Sequence, residues 1–174
     1  EHLLMRADLT PAERERAQQA LALDYTRAGL LDRAEAALQR LEGSAHETFG
    51  RQIRLAIYER LRDWQQAAAV AQQLRGSNPA LYTRRLAHYL CEQAEQAEEA
   101  NYSVALQLLE EAQRHDPQAP RPLIQAARLF ISHHQPQQAA QAFFALAELG
   151  PEWVALVAAD YAAWWNQDEK ALQG

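Results

Sequence analysis

Along this chain one arrangement of apolar and polar positions keeps returning: a large apolar or aromatic residue, a short polar loop, an alanine, and then apolar residues at three- and four-residue spacing. Tyr25, Ala34, Leu38 and Leu41 make one copy, Tyr58, Ala67, Ala71 and Leu74 a second, and Phe130, Ala139, Phe143 and Leu146 another, with a weaker copy between them. Spacing of three and four places apolar side chains on one stripe of a helix. Each copy therefore predicts two helices joined by a turn.

The alanines Ala34, Ala67, Ala105 and Ala139 lie 33, 38 and 34 residues apart, which is the tetratricopeptide period of about 34 with one insertion. A small residue suits the place where the second helix of a pair crosses the first, because a larger side chain there overpacks at about 1–3 kcal/mol. One pair cannot bury its own stripe, so stability comes from stacking about three or more. The fold class expected is all-α, a tetratricopeptide repeat solenoid of antiparallel helix pairs wound as a right-handed superhelix. Its repeats fall at about 10–43, 46–78, 80–116 and 119–150, after the end of a preceding repeat at 1–8 and before a partial one at 151–174.

Local signals set the boundaries. Thr10, Pro11 and Glu13 form a capping box that starts the first helix, and loss of the Thr10 hydroxyl costs about 1 kcal/mol. Gly29 is expected to end that helix in the left-handed region, Asp32 to begin the second, and Gly43 to stop it. Asp63 with Gln66, and Asn101, cap later second helices. Pro79, Pro117 and Pro151 punctuate the repeat ends, and Pro136 opens a helix at its first turn. The first helix of the third pair, roughly 80–99, is longer than a standard repeat allows. The stretch from Trp153 to Trp165 reads as one more helix, and 168–172 as a remnant of its partner. Leu3, Leu4 and Met5 read as the tail of an upstream helix, and Trp153, Trp164 and Trp165 either as core that a further repeat would cover or as an exposed patch for a partner.

Composition narrows the function. Of 174 residues, 17 are Lys or Arg and 23 Asp or Glu, a net charge of −6. Between Leu86 and Gln113 stand Glu92, Glu95, Glu98, Glu99, Glu110 and Glu111 with no Lys or Arg. Nucleic acid, which is held through clustered cations, is not the expected partner. No apolar run reaches the 18 or more residues of a membrane span, so direct membrane insertion is not expected. The chain opens with no basic stretch followed by an apolar run and cleavage site, so no signal peptide is expected. It reads as a soluble piece whose targeting segments lie outside it. Cys91 is the single cysteine; it fits a buried small hydrophobe and leaves no internal disulfide.

No enzyme signature is present. His133 and His134 are adjacent and point about 100° apart on a helix, unlike the three- or four-residue spacing of helical metal ligands. His115 fits a helix C-terminus. With no phosphate loop, nucleophile elbow or zinc motif, neither a catalytic nor a cofactor or metal site is expected.

First helices of successive pairs line the concave side of this fold, where a partner segment lies. The positions expected to face that groove are Arg16, Gln19, Leu23 and Arg27, then Gln52, Ala56, Glu59 and Arg60, then His88, Cys91, Glu95 and Glu98, and lastly Arg121, Ile124, Arg128 and Ile131. The groove would alternate basic, mixed, acidic and basic, suiting a partner segment of both charge signs. Tyr25, Tyr58 and Phe130 are assigned to packing.

The segments ALDYTRAGLLDRAEAALQRL (Ala22–Leu41), LAIYERLRDWQQAAAVAQQL (Leu55–Leu74), HYLCEQA (His88–Ala94) and YSVALQLLEEAQRHDP (Tyr102–Pro117) occur in this order. Together with the long third repeat and an extended loop before Asn101, they resemble the lipopolysaccharide assembly protein B family. That resemblance covers nearly the whole chain and weakens across the last repeat. It implies the middle of a bacterial protein with an N-terminal membrane helix, a tetratricopeptide array on the cytoplasmic side of the inner membrane, and a rubredoxin-like metal domain. With no Cys-x-x-Cys here, the metal function does not carry over. The implied role is a non-catalytic adaptor through which the membrane protease FtsH degrades the deacetylase LpxC, regulating lipopolysaccharide synthesis. Two other readings stand beside it: a repeat scaffold for another bacterial complex, and a module that forms homo-oligomers through exposed array ends.

Overall fold

The computed structural model describes residues 9–98, 101–159 and 162. Among them lie α1 (Pro11–Arg27), α2 (Leu31–Gln39), α3 (Glu47–Leu61), α4 (Trp64–Leu74), α5 (Pro79–Glu98), α6 (Tyr102–His115), α7 (Pro120–Ser132) and α8 (Pro136–Leu149). A further helical stretch covers 151–159, and no described residue is in a strand. The fold class is all-α, as the apolar periodicity requires. Two compact units divide the chain, Glu1–Tyr82 and Thr83–Gly174, and each is described by itself.

Helix pairs turn by one repeated device. Gly29, Arg62 and His134 adopt φ of 74°, 55° and 56°, and each lies five residues before a crossing alanine, Ala34, Ala67 and Ala139. The next amide in each case donates back over the helix end. Leu30 N bonds Tyr25 O at 2.9 Å, Asp63 N bonds Tyr58 O at 3.0 Å, and Gln135 N bonds Phe130 O at 2.8 Å. This is the Schellman closure, which satisfies carbonyls that a helix end leaves open. The left-handed position suits Gly29, whereas Arg62 and His134 carry a Cβ there against preference.

Each second helix then starts at an equivalent residue. Ala34, Ala67, Ala105 and Ala139 donate to the carbonyls of Leu30, Asp63, Asn101 and Gln135. Asp63 and Asn101 also cap with their side chains, accepting from Gln66 N at 3.2 Å and Val104 N at 3.3 Å. Leu30 and Gln135 make no side-chain cap. The second helix therefore begins at Leu31 rather than at Asp32, which sits inside its first turn. Its end also differs from expectation: α2 stops at Gln39, four residues before Gly43, and Ser44 Oγ donates to Leu41 O at 2.7 Å in the turn that follows. Ser77 and Ser132 do the same with Leu74 O and Leu129 O.

In the first unit α2 packs on α1 and α3, and α4 on α3. Ala22, Ala34, Ala37, Leu38, Leu41, Ile53 and Ile57 form its apolar centre, with Leu23, Tyr25, Leu31 and Phe49 closing it. Ala34 and Ala67 have no exposed surface, as close helix approach demands. Among the described residues of this unit Gln18 is the one buried polar residue in the core; its Nε2 donates to Ala37 O at 3.2 Å and ties α1 to α2. The capping box forms as expected, with Glu13 Oε2 accepting from Thr10 N at 2.9 Å and Glu13 N donating to Thr10 Oγ1 at 3.3 Å.

In the second unit the insertion lies in helix rather than loop. α5 runs 20 residues, and only 99–101 separate it from α6, so no extended loop precedes Asn101. Ala87, Leu90, Cys91, Ala94, Ala105, Leu109, Ala112 and Leu129 form one apolar cluster. Ala127, Ala142, Leu146 and Val157 form another, on which Trp153 and Val154 pack, so the start of the partial repeat serves as core. Leu3, Leu4, Met5, Trp164, Trp165 and 168–172 lie outside the described residues.

Candidate functional site

In the first unit, Arg16, Arg27, Gln52, Ala56 and Arg60 are exposed, while Gln19 and Glu59 are half-buried. Arg27 stands 4.0 Å from Asp24, both side chains about three-quarters open, a pair that water screens almost fully. Gln52 Nε2 donates to the hydroxyl of Tyr82 at 3.4 Å. Leu23 is half-buried against the apolar centre and contributes packing more than a contact surface.

A better ordered set of charges in this unit is absent from the expected positions. Arg54, with only 16% of its side chain exposed, holds Glu42 at 3.1 Å and Glu35 at 3.7 Å. Tyr58 donates its hydroxyl to the same Glu35 oxygen at 2.9 Å. Burial, then the Glu35 carboxylate, pushes the Tyr58 phenol above its ordinary range. Tyr58 is thus both packing and the anchor of a bond joining α3 to α2.

The second unit draws together three charged expectations. Arg121, from the first turn of α7, donates through Nη1 to His88 Nδ1 at 2.8 Å and through Nη2 to Glu92 at 2.7 Å and Glu95 at 3.3 Å, all on α5. A guanidinium only donates, so His88 Nδ1 is the acceptor in its bond with Arg121. The acidic and basic positions meant to alternate along a groove here satisfy one another instead. The sequence separations of 33, 29 and 26 residues explain why neighbours in the chain gave no hint of it.

The remaining positions divide. Arg128 is exposed, and its Nη2 donates to Leu156 O at 3.5 Å. Ile124 is half-buried on the second apolar cluster. Ile131 is 8% exposed and packs on Ala139, so it belongs to the helix pair rather than to a surface. Cys91 is likewise 1% exposed, and burial pushes its thiol up to about 11. The side chain of Glu98 lies outside the described residues. His133 stacks its ring on Tyr102 at 3.9 Å between centroids, and Tyr102 donates its hydroxyl to Gln135 at 2.6 Å. Among the described residues no group of three or more His, Cys, Asp or Glu is placed to hold a metal ion, and no helix is long and apolar enough to cross a membrane.

The first helices thus carry exposed arginines and amides on the outside of the helix pairs. Comparison with known proteins gives that surface a context. The chain is 33% identical over 132 residues to lipopolysaccharide assembly protein B of Escherichia coli K12, and equally to that of Escherichia coli O157:H7. The resemblance to that family holds. The match takes in 75% of this chain and 34% of the relative, so the chain spans about a third of the length of the curated relatives it matches. No family model matches the sequence.

Proposed function

We propose that this chain is a non-catalytic, protein-binding part of an adaptor related to lipopolysaccharide assembly protein B. It regulates lipopolysaccharide biosynthesis by bringing the deacetylase LpxC to the membrane protease FtsH, on the cytoplasmic side of the bacterial inner membrane. The observation that carries this reading is the 33% identity over three-quarters of the chain, running through helix pairs whose inward positions are packing and whose outward positions are arginines, glutamines and glutamates. Such a surface offers forked donors and charge of both signs, which suits proteins rather than a small substrate. No cofactor takes part in this role.

Co-purification tests it. The intact protein, tagged and drawn from bacterial membranes solubilised in mild detergent, should retain both LpxC and FtsH. Arg16→Glu combined with Arg60→Glu, two exposed positions that leave the helix pairs intact, should reduce retention of at least one of them severalfold. Retention of neither by the wild-type protein overturns the assignment.

A further inference from the structure

The second unit carries a groove that lies outside every position assigned to partner binding above. α7 packs against both α6 and α8, while α6 and α8 meet at the start of each, where Tyr102 donates to Gln135, and stand apart further along. Between them lies an open cavity of about 760 Å³, floored by Leu123, Ala126 and Phe130 of α7 and walled by Leu106 on α6 and Ala145 on α8. Its surface is mostly apolar. Monomeric proteins rarely leave such continuous apolar surface open without a use.

A further observation, at its rim, indicates what fills it. At the rim, Glu110 and Arg114 stand one turn apart on α6, both exposed. Neither has an ion pair or hydrogen bond among the described residues, although their spacing permits one. The two opposite charges face outward beside an apolar floor.

We propose that the groove between α6 and α8 docks an amphipathic helix of a partner protein, laid antiparallel to α6. Its apolar face enters the groove with two large anchors. An acidic residue on its flank meets Arg114, and a basic residue four positions later meets Glu110. Order follows from geometry: running antiparallel, the partner passes Arg114 before Glu110, and four residues advance it by about 6 Å, the same step as on α6. Glu followed by Lys at that spacing also stabilises the partner's own helix. Opposite rim charges disfavour a ligand of single sign, and an open trough between two helices suits a helix better than an enclosed small molecule. The inference rests on the adaptor reading for its partner being a protein, and deepens it by naming a surface and the segment that surface takes.

Three synthetic helices test it by fluorescence anisotropy against the intact protein. All carry the same Leu and Trp anchors, and they differ only in flank charges: Glu-x-x-x-Lys, Lys-x-x-x-Lys or Glu-x-x-x-Glu. The first should bind saturably and about threefold tighter than either of the others, as expected for one exposed ion pair. Arg114→Glu, an exposed change that leaves the fold intact, should transfer the preference to Lys-x-x-x-Lys, and Ala126→Trp, which fills the floor, should abolish binding of all three. Lack of saturation by any helix, or preferences unmoved by Arg114→Glu, overturns the proposal. So does self-association of the protein that Ala126→Trp removes, which would assign the groove to a second copy, or displacement-sensitive binding of dodecanol without binding of any helix. None of these outcomes depends on LpxC or FtsH, whose retention is measured separately.

Discussion

At the scale of single residues, the small crossing positions are the most legible part of the molecule. Ala34, Ala67, Ala105 and Ala139 are all fully buried, because two helices can close only where no larger side chain intervenes. Ala67→Leu should therefore lower the unfolding free energy by about 1–3 kcal/mol in urea denaturation, and a stability equal to wild type would contradict that packing. Cys91 is a second legible residue. Its buried thiol, pushed up to about 11, holds its proton more tightly in the folded than in the unfolded chain. Stability is thus unaffected by this group at neutral pH, and declines once the pH rises past the ordinary thiol range of about 8.5 toward 11. Alkylation by iodoacetamide at pH 8 should be slow, speeding up sharply in denaturant. Charge pairing was much less legible. Arg121 finds Glu92, Glu95 and His88 across some thirty residues of sequence, and Arg54 finds Glu35 and Glu42 from the next helix over. Composition and local spacing display such groups as free surface charge. Ile131 misled for a related reason: its place on the stripe of α7 facing Ala139 depends on how α8 crosses, not on α7 alone.

At the scale of elements, the helix starts and stops that rest on a strong local signal were readable, and those that rest on register were not. Thr10 with Glu13, Asp63 with Gln66 and Asn101 with Val104 all cap as their chemistry dictates. Leu30 has no capping oxygen, so the visible Asp32 drew the start of α2 too late. Placing the acceptor where the helix begins should help: Leu30→Asp is expected to raise stability by about 0.5–1 kcal/mol, read as a higher urea midpoint at unchanged slope. The turn position offers a companion test. Gly29 shows what the left-handed site prefers, and Arg62 and His134 occupy the same site in their own pairs. Arg62→Gly and His134→Gly should each stabilise by roughly 0.5–1 kcal/mol; a loss of stability at either would mean that the side chain makes contacts outweighing its backbone strain. The groove between α6 and α8 was not legible, since it arises from the distance between two helices that both pack on a third.

At the scale of the whole molecule, the described helices set arginines, glutamines and glutamates outward around buried apolar positions. The chain has a net charge of −6, yet its arginines sit among glutamates in short-range arrangements. It presents mixed charge to a partner instead of one broad field, and that favours specific docking over non-specific attraction. The match covers 34% of the relatives' length, so the proposed adaptor role concerns the whole protein in which these helix pairs work, and a cell is the place to measure it. The half-life of LpxC, followed after protein synthesis is stopped, should lengthen severalfold in bacteria deleted for this protein's gene and return to its original value when the wild-type gene is restored. An LpxC half-life that is the same in the presence and absence of the protein would contradict the account.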